Sequence, residues 1–205
     1  MIVIIDYGMG NLRSIENKLR RAGAAAKISS DIGEIEAADK LILPGVGAFA
    51  SGMRNLDERA LRGPLEKKAL RQGTPTLGIC LGMELITEWS EEGDAKGLGW
   101  IRGQTRRFVF EGDGKKIRVP HVGWNSLSRT RESPLLKGVS PDSSFYFVHS
   151  YHVVCSEPSD IVATTDYGYS FPSVIEHKNI LGTQFHPEKS HAAGVQILKN
   201  FAEMA

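Results

Sequence analysis

The sequence predicts an α/β fold: a doubly wound, mostly parallel sheet flanked by helices, with an antiparallel extension, formed by residues 1–205 as a single domain. Three observations lead there. The run Ile2–Ile5 is β-branched throughout and does not alternate with polar residues, the pattern of a strand buried on both faces. Over the first part of the chain, such runs alternate with stretches of helical periodicity, the order that builds a parallel sheet. From about residue 105 the texture changes to closely spaced short strands before a final helix.

In order along the chain, DYGMGN follows the first strand. A helix then carries Leu12, Ile15, Leu19 and Ala22 on one face, with Gly23 placed to end it. A short strand at 25–28 precedes a polar helical turn from Asp31. KLILPGVGAF (40–49) reads as a strand running into a Gly/Pro loop, and PLEKKALRQG (64–73) as a helix closed by Gly73. TPTLGIC (74–80) is the next strand and LGMELITEW (81–89) the helix behind it. TRRFVFEGDGKKIRV (105–119) reads as a hairpin turning at Gly112–Gly114. Strands follow at 145–149, 151–155, 161–165, 173–177 and 180–185; Ser190 then caps a last helix with Val195, Leu198 and Phe201 inward. In a sheet of this kind, functional loops gather beyond the carboxyl ends of the strands.

Composition excludes several classes of partner. With 25 basic and 24 acidic residues the net charge is +1, so nothing points to nucleic acid or an anionic membrane. No apolar stretch approaches the roughly 20 residues that span a bilayer, and the opening MIVIIDYG reads as a strand rather than a leader. Two cysteines in unrelated contexts offer neither a disulfide framework nor metal spacing, which suits a reducing cytoplasm. Neither GMGN nor PGVG has the glycine spacing of a phosphate loop, so no cofactor and no metal are expected.

The chemistry centres on Cys80, between Gly78 and Gly82 where a buried strand turns into a helix. Such a turn presents the sulfur beside fresh N–H groups and a helix dipole, which would lower its pKa; a buried filler cysteine fits the same residues. A nucleophilic thiol needs a base. In GTQFHPEKS (182–190), His186 ends a strand and Glu188, two residues on, projects to the same side. That spacing suits a carboxylate holding an imidazole in one tautomer. LPGVGAF (43–49) adds a glycine loop whose N–H groups could receive an oxyanion. As a set these favour catalysis, with Cys80 as nucleophile.

GICLGM with a distant HPE resembles the class I (triad-type) glutamine amidotransferases, whose fold matches the one predicted. IDYGMGNL, LPGVGAF, PHVGWN (120–125), FVHSY (147–151) and GTQFHPEKS narrow the resemblance to the glutaminase subunits of imidazole glycerol phosphate synthases. The resemblance implies an enzyme that hydrolyses glutamine to glutamate and ammonia through a γ-glutamyl thioester. Cys80 would be its nucleophile, His186 its acid/base and Glu188 the orienter. Val46 and Gly47 would lie near the developing oxyanion, the Leu81 N–H would be a second donor, and Gly45, Ser150 and Tyr151 would help hold glutamine. Glu84 stands where the family usually has a substrate-binding Gln; it keeps the acceptors and loses the amide donors. The implied partner is a (β/α)₈-barrel cyclase that uses the ammonia to make imidazole glycerol phosphate and AICAR in histidine biosynthesis. Asn11, Trp124, Tyr146 and Lys189 match positions at or near that interface, where an aromatic such as Trp124 is at home. Paralogues of these subunits supply ammonia for amidino-sugar synthesis in surface polysaccharide, a second acceptor that remains open at this point.

Overall fold

The chain, seen in a computed structural model, is described over residues 1–110 and 117–204. Its first half runs β1 (Ile2–Ile5), α1 (Leu12–Arg21), β2 (Ala26–Ser29), α2 (Ile32–Glu36), β3 (Lys40–Gly45), α3 (Phe49–Glu58), α4 (Arg62–Glu66), β4 (Thr76–Cys80) and α5 (Leu81–Leu85). Then come β5 (Trp89–Ser90), β6 (Ala95–Lys96), β7 (Gly103–Arg107), β8 (His121–Ser126), β9 (Ser128–Arg129), β10 (Ser144–His149) and β11 (Tyr151–Cys155). The remainder is β12 (Ile161–Asp166), β13 (Ser170–His177), β14 (Ile180–Thr183) and α6 (His191–Glu203).

The principal sheet has the order β2-β1-β3-β4-β14-β13-β12-β9. Its first five strands are mutually parallel and the last three attach antiparallel. The predicted parallel sheet with an antiparallel extension is therefore what forms. Alternation along β1 shows why both faces are covered. Ile2 and Ile4 pack with Ile15 and Leu19 of α1 and with Leu198 and Phe201 of α6. Val3 and Ile5 pack with Ile35 of α2 and with Phe49, Met53 and Leu56 of α3. Asp31 caps α2, its carboxylate accepting the Glu34 N–H at 2.9 Å.

The structure departs from the sequence reading at several points. The helix read over 81–89 ends at Leu85, because its last carbonyls serve another segment. Leu98 N–H donates to the Leu85 carbonyl, and the N–H groups of Trp100 and Ile101 to that of Ile86. Trp89 instead starts β5, beside β7. The helix α3 went unread although Phe49, Met53 and Leu56 carry its apolar face. The turn at Gly112–Gly114 lies outside the described residues, and the described flank of that hairpin, β7, pairs with β11 and β5. Ser190 occupies the N-cap position of α6 without a capping bond. Its hydroxyl donates to the His186 carbonyl at 2.6 Å and accepts the Tyr146 N–H at 3.0 Å. Along α6, Ile197, Leu198 and Phe201 are buried, while Val195 is half-buried.

Candidate active site

Three neighbouring parallel strands deliver the central residues to one edge. Gly45 at the end of β3 is in register with Cys80 at the end of β4. Thr183 at the end of β14 is in register with Ile79, so Gln184–Glu188 continues alongside the Cys80 turn. Cys80 adopts φ +52°, ψ −110°, a left-handed conformation that costs an L-residue about 1–3 kcal/mol. The flanking glycines make this turn possible by close approach. A Cβ on Gly82 would lie 1.8 Å from the Leu43 carbonyl oxygen, and one on Gly78 would lie 2.6 Å from the Gly82 carbonyl oxygen.

Cys80 is 6 % exposed. Contrary to the sequence expectation, its thiol is pushed well above the ordinary range. Burial is the main cause and the Glu84 charge adds to it; the Leu81 N–H at the sulfur and the Lys189 charge oppose this without outweighing it. The resting sulfur is therefore a thiol, and a role as nucleophile would require a base. His186, 1 % exposed, has Nδ1 2.8 Å from Glu188 Oε1. The carboxylate can only accept, so Nδ1 carries a proton, and a neutral ring then has its lone pair on Nε2. That Nε2 is buried and has no partner among the described residues. The His186 N–H donates to the Tyr146 carbonyl, which fixes this backbone against β10.

A cavity of about 240 Å³ opens beside these groups. Val46, Gly47, Cys80, Leu81 and Glu84 line one side, and Ser150 and Tyr151 the other. Gly45 does not reach the lining: it is buried one residue inside, where a Cβ would lie 2.7 Å from Leu81 Cβ. Glu92 also lines the cavity and escaped sequence reasoning. Its Oε2 accepts the N–H of Phe49, the first residue of α3, at 2.7 Å. Nothing in SEEGD separates Glu92 from Glu91; only the path of the β5–β6 turn does.

Pro120 and His149 complete the far wall and were assigned no role from sequence. His149 Nδ1 lies 2.7 Å from the Tyr151 carbonyl, so it carries the proton, and Nε2 then accepts from His121 Nδ1 at 3.0 Å. Burial holds His121 down at about 4 and His149 at about 3. Unfolded histidines titrate near pH 6.5, so below that pH the unfolded chain takes up protons that the folded one refuses. Stability is thus fully present above about pH 6.5 and is lost as pH falls towards 3–4. A series of melting temperatures should decline below pH 6.5, and His149→Gln should flatten that decline.

The proposed interface residues gather on the same edge. Trp124, 46 % exposed, stacks on His191 with ring centroids 4.6 Å apart and sits edge-on to Tyr146 at 5.8 Å. Lys189 Nζ lies 5.4 Å above the Tyr146 ring, and the Tyr146 ring is 6.5 Å from that of His186. Asn11 stands exposed at the start of α1, following Gly10, whose backbone abuts Pro44 and Gly45.

A cysteine on a strained elbow, a buried His–Glu pair and a glycine loop at the edge of a doubly wound sheet define a thiol-dependent acyl-transfer enzyme. Residues 3–205 match the family model described as glutamine amidotransferase class-I, and the chain belongs to that family. It is 47 % identical over 204 residues to "Imidazole glycerol phosphate synthase subunit HisH 2" of Pseudomonas aeruginosa, and 48 % identical over 205 residues to the protein of that name in Methanococcus maripaludis. Both matches cover all of each chain. The HisH subunit of Leptospira borgpetersenii is 41 % identical over 204 residues, again across both whole chains. Among solved structures, a glutamine amidotransferase superposes with a TM-score of 0.72 at 18 % identity, covering all of each chain. PurLQS from Thermotoga maritima gives 0.70 at 17 % identity, covering 96 % of this chain and 94 % of that one. These two likenesses concern the fold.

Proposed function

We propose that this chain is the glutaminase subunit of an imidazole glycerol phosphate synthase, working as one domain in the cytoplasm. The observation that carries the chemistry is strained Cys80 at the wall of the cavity, next to the segment that holds the buried His186–Glu188 pair. Cys80 Sγ attacks the side-chain amide carbon of glutamine as its proton passes to His186 Nε2. The oxyanion is met by N–H groups at Val46, Gly47 and Leu81. His186 returns the proton to the leaving nitrogen, ammonia departs and a γ-glutamyl thioester remains. Water, deprotonated by His186, attacks the thioester; glutamate leaves and the thiol is restored. Glu84, Ser150 and Tyr151 hold the substrate, with backbone support from Gly45.

Ammonia released into water at neutral pH becomes ammonium and is no longer a nucleophile, so the product must pass directly to an acceptor site. The relatives' shared name supports a synthase of imidazole glycerol phosphate as the acceptor, and amidino-sugar synthesis has no comparable support. The partner we propose is a (β/α)₈-barrel cyclase seated on the edge formed by Asn11, Trp124, Tyr146 and Lys189, where an exposed indole suits an interface. Glutamate release should be slow for the purified chain and rise strongly when the barrel cyclase of the same genome and its nucleotide substrate are added. A cyclase that neither binds nor stimulates would remove the histidine pathway as the destination of the ammonia.

A further inference from the structure

Ser190 stands where a serine ordinarily caps a helix, yet its hydroxyl makes no bond to the first turn of α6. It turns inward instead and is fully buried. There it donates to the His186 carbonyl at 2.6 Å and accepts the Tyr146 N–H at 3.0 Å. The His186 N–H in turn donates to the Tyr146 carbonyl at 2.9 Å. Two residues facing each other in an antiparallel ladder can exchange both such bonds directly. Here one bond is direct and the hydroxyl relays the other, at the point where the chain leaves His186 for the 3₁₀ turn Pro187–Lys189. A hydroxyl suits that task, with one donor and two acceptor lone pairs.

The surroundings hold Ser190 in this pose. Its N–H donates to the Pro187 carbonyl at 3.1 Å, and its own carbonyl accepts the Gly194 N–H at 2.8 Å. Gly194 packs so closely that a Cβ there would lie 1.9 Å from the Pro187 carbonyl oxygen. The next residue, His191, takes φ +45°, a left-handed conformation that the structure around it must enforce. The bridge matters because the His186 ring has one side-chain anchor, Glu188, which rides on the same turn. The backbone of residues 186–190 therefore decides where Nε2 stands relative to the Cys80 sulfur. We propose that Ser190 is a positioning residue of the glutaminase reaction: its hydroxyl locks the His186 backbone to β10 and so sets the reach of Nε2 to the thiol. This rests on the glutaminase reading above and adds to it a residue that does not line the cavity.

Steady-state glutamate release tests this, measured for the chain alone and with the barrel cyclase and its nucleotide substrate. Ser190→Ala should lower kcat by about 10–10²-fold, the cost of a misplaced catalytic group, and leave KM for glutamine within about twofold. Ser190→Cys fills the same space with a weaker donor. It should fold even where the alanine variant does not, and its kcat should fall between those of Ser190→Ala and the parent. A second readout is the downfield proton resonance of His186 Nδ1, identified by its loss in His186→Gln. That resonance should shift or broaden in both serine variants. Folded variants that keep kcat within about twofold, or whose His186 resonance is unmoved, overturn the inference and leave Ser190 a fastening of the α6 start. Absence of any glutamate release by the parent, under both conditions, would overturn the glutaminase reading and this inference with it.

Discussion

Cys80→Ala is expected to reduce glutamate release by about 10³-fold or more, because the chemistry has no other nucleophile to fall back on. Among the described residues the only other cysteine is Cys155, half-buried in β11 and itself pushed up to about 12 by burial and by Asp160. Removing one sulfur atom leaves the turn intact, since the left-handed conformation at position 80 is as tolerable to Ala as to Cys. Deleting so small a buried group should cost no more than about 1–2 kcal/mol of stability. The variant should therefore fold, melt within a few degrees of the parent and still bind glutamine. A glutamine-mimicking electrophile should label the parent at Cys80 and leave the variant unlabelled. Undiminished glutamate release by a pure, folded variant would sink the assignment of the nucleophile.

The parallel half of the fold was legible because its signals are local. Ile2–Ile5 has no polar face to show solvent, and Leu12, Ile15 and Leu19 can only be a helix stripe. The elbow and the His186–Glu188 pair were legible for the same reason: each is a short spacing within one segment, and the two read together favoured catalysis. What escaped depends on distant segments. The end of α5 is decided by N–H groups at Leu98, Trp100 and Ile101, and the partners of β7 by strands far from it in sequence. Glu92 enters the cavity through a turn whose path no periodicity encodes. His149 and His121 become a hydrogen-bonded pair because β8 and β10 are in register at those two residues. The thiol was misjudged in direction because desolvation is a property of the assembled core, and there it outweighs the N–H donor that the motif does reveal.

Glu188→Gln is expected to lower kcat by about 10²–10⁴-fold, as loss of the carboxylate of a catalytic triad does elsewhere, with KM for glutamine changed little. Glu188 does not line the cavity, so it acts on the substrate only through His186. In the proposed mechanism its carboxylate does two things to that ring. It fixes the proton on Nδ1, which leaves the lone pair on Nε2, and its charge stabilises the imidazolium that forms when Cys80 gives up a proton. A glutamine side chain loses the charge outright. Its NH₂ group can also donate to Nδ1, which moves the ring proton to Nε2 and leaves that atom unable to accept from sulfur. The cost should appear in catalysis and not in folding. Glu188 is buried, and its Oε2 has no partner among the described residues. Neutralising such a group relieves desolvation, so the variant should melt no lower than the parent while its kcat collapses. A variant that kept activity within twofold would make the His186–Glu188 contact a packing feature and move the search for the orienter elsewhere. One that lost stability and activity together would show that the pair holds the β14–α6 connection as well as the imidazole.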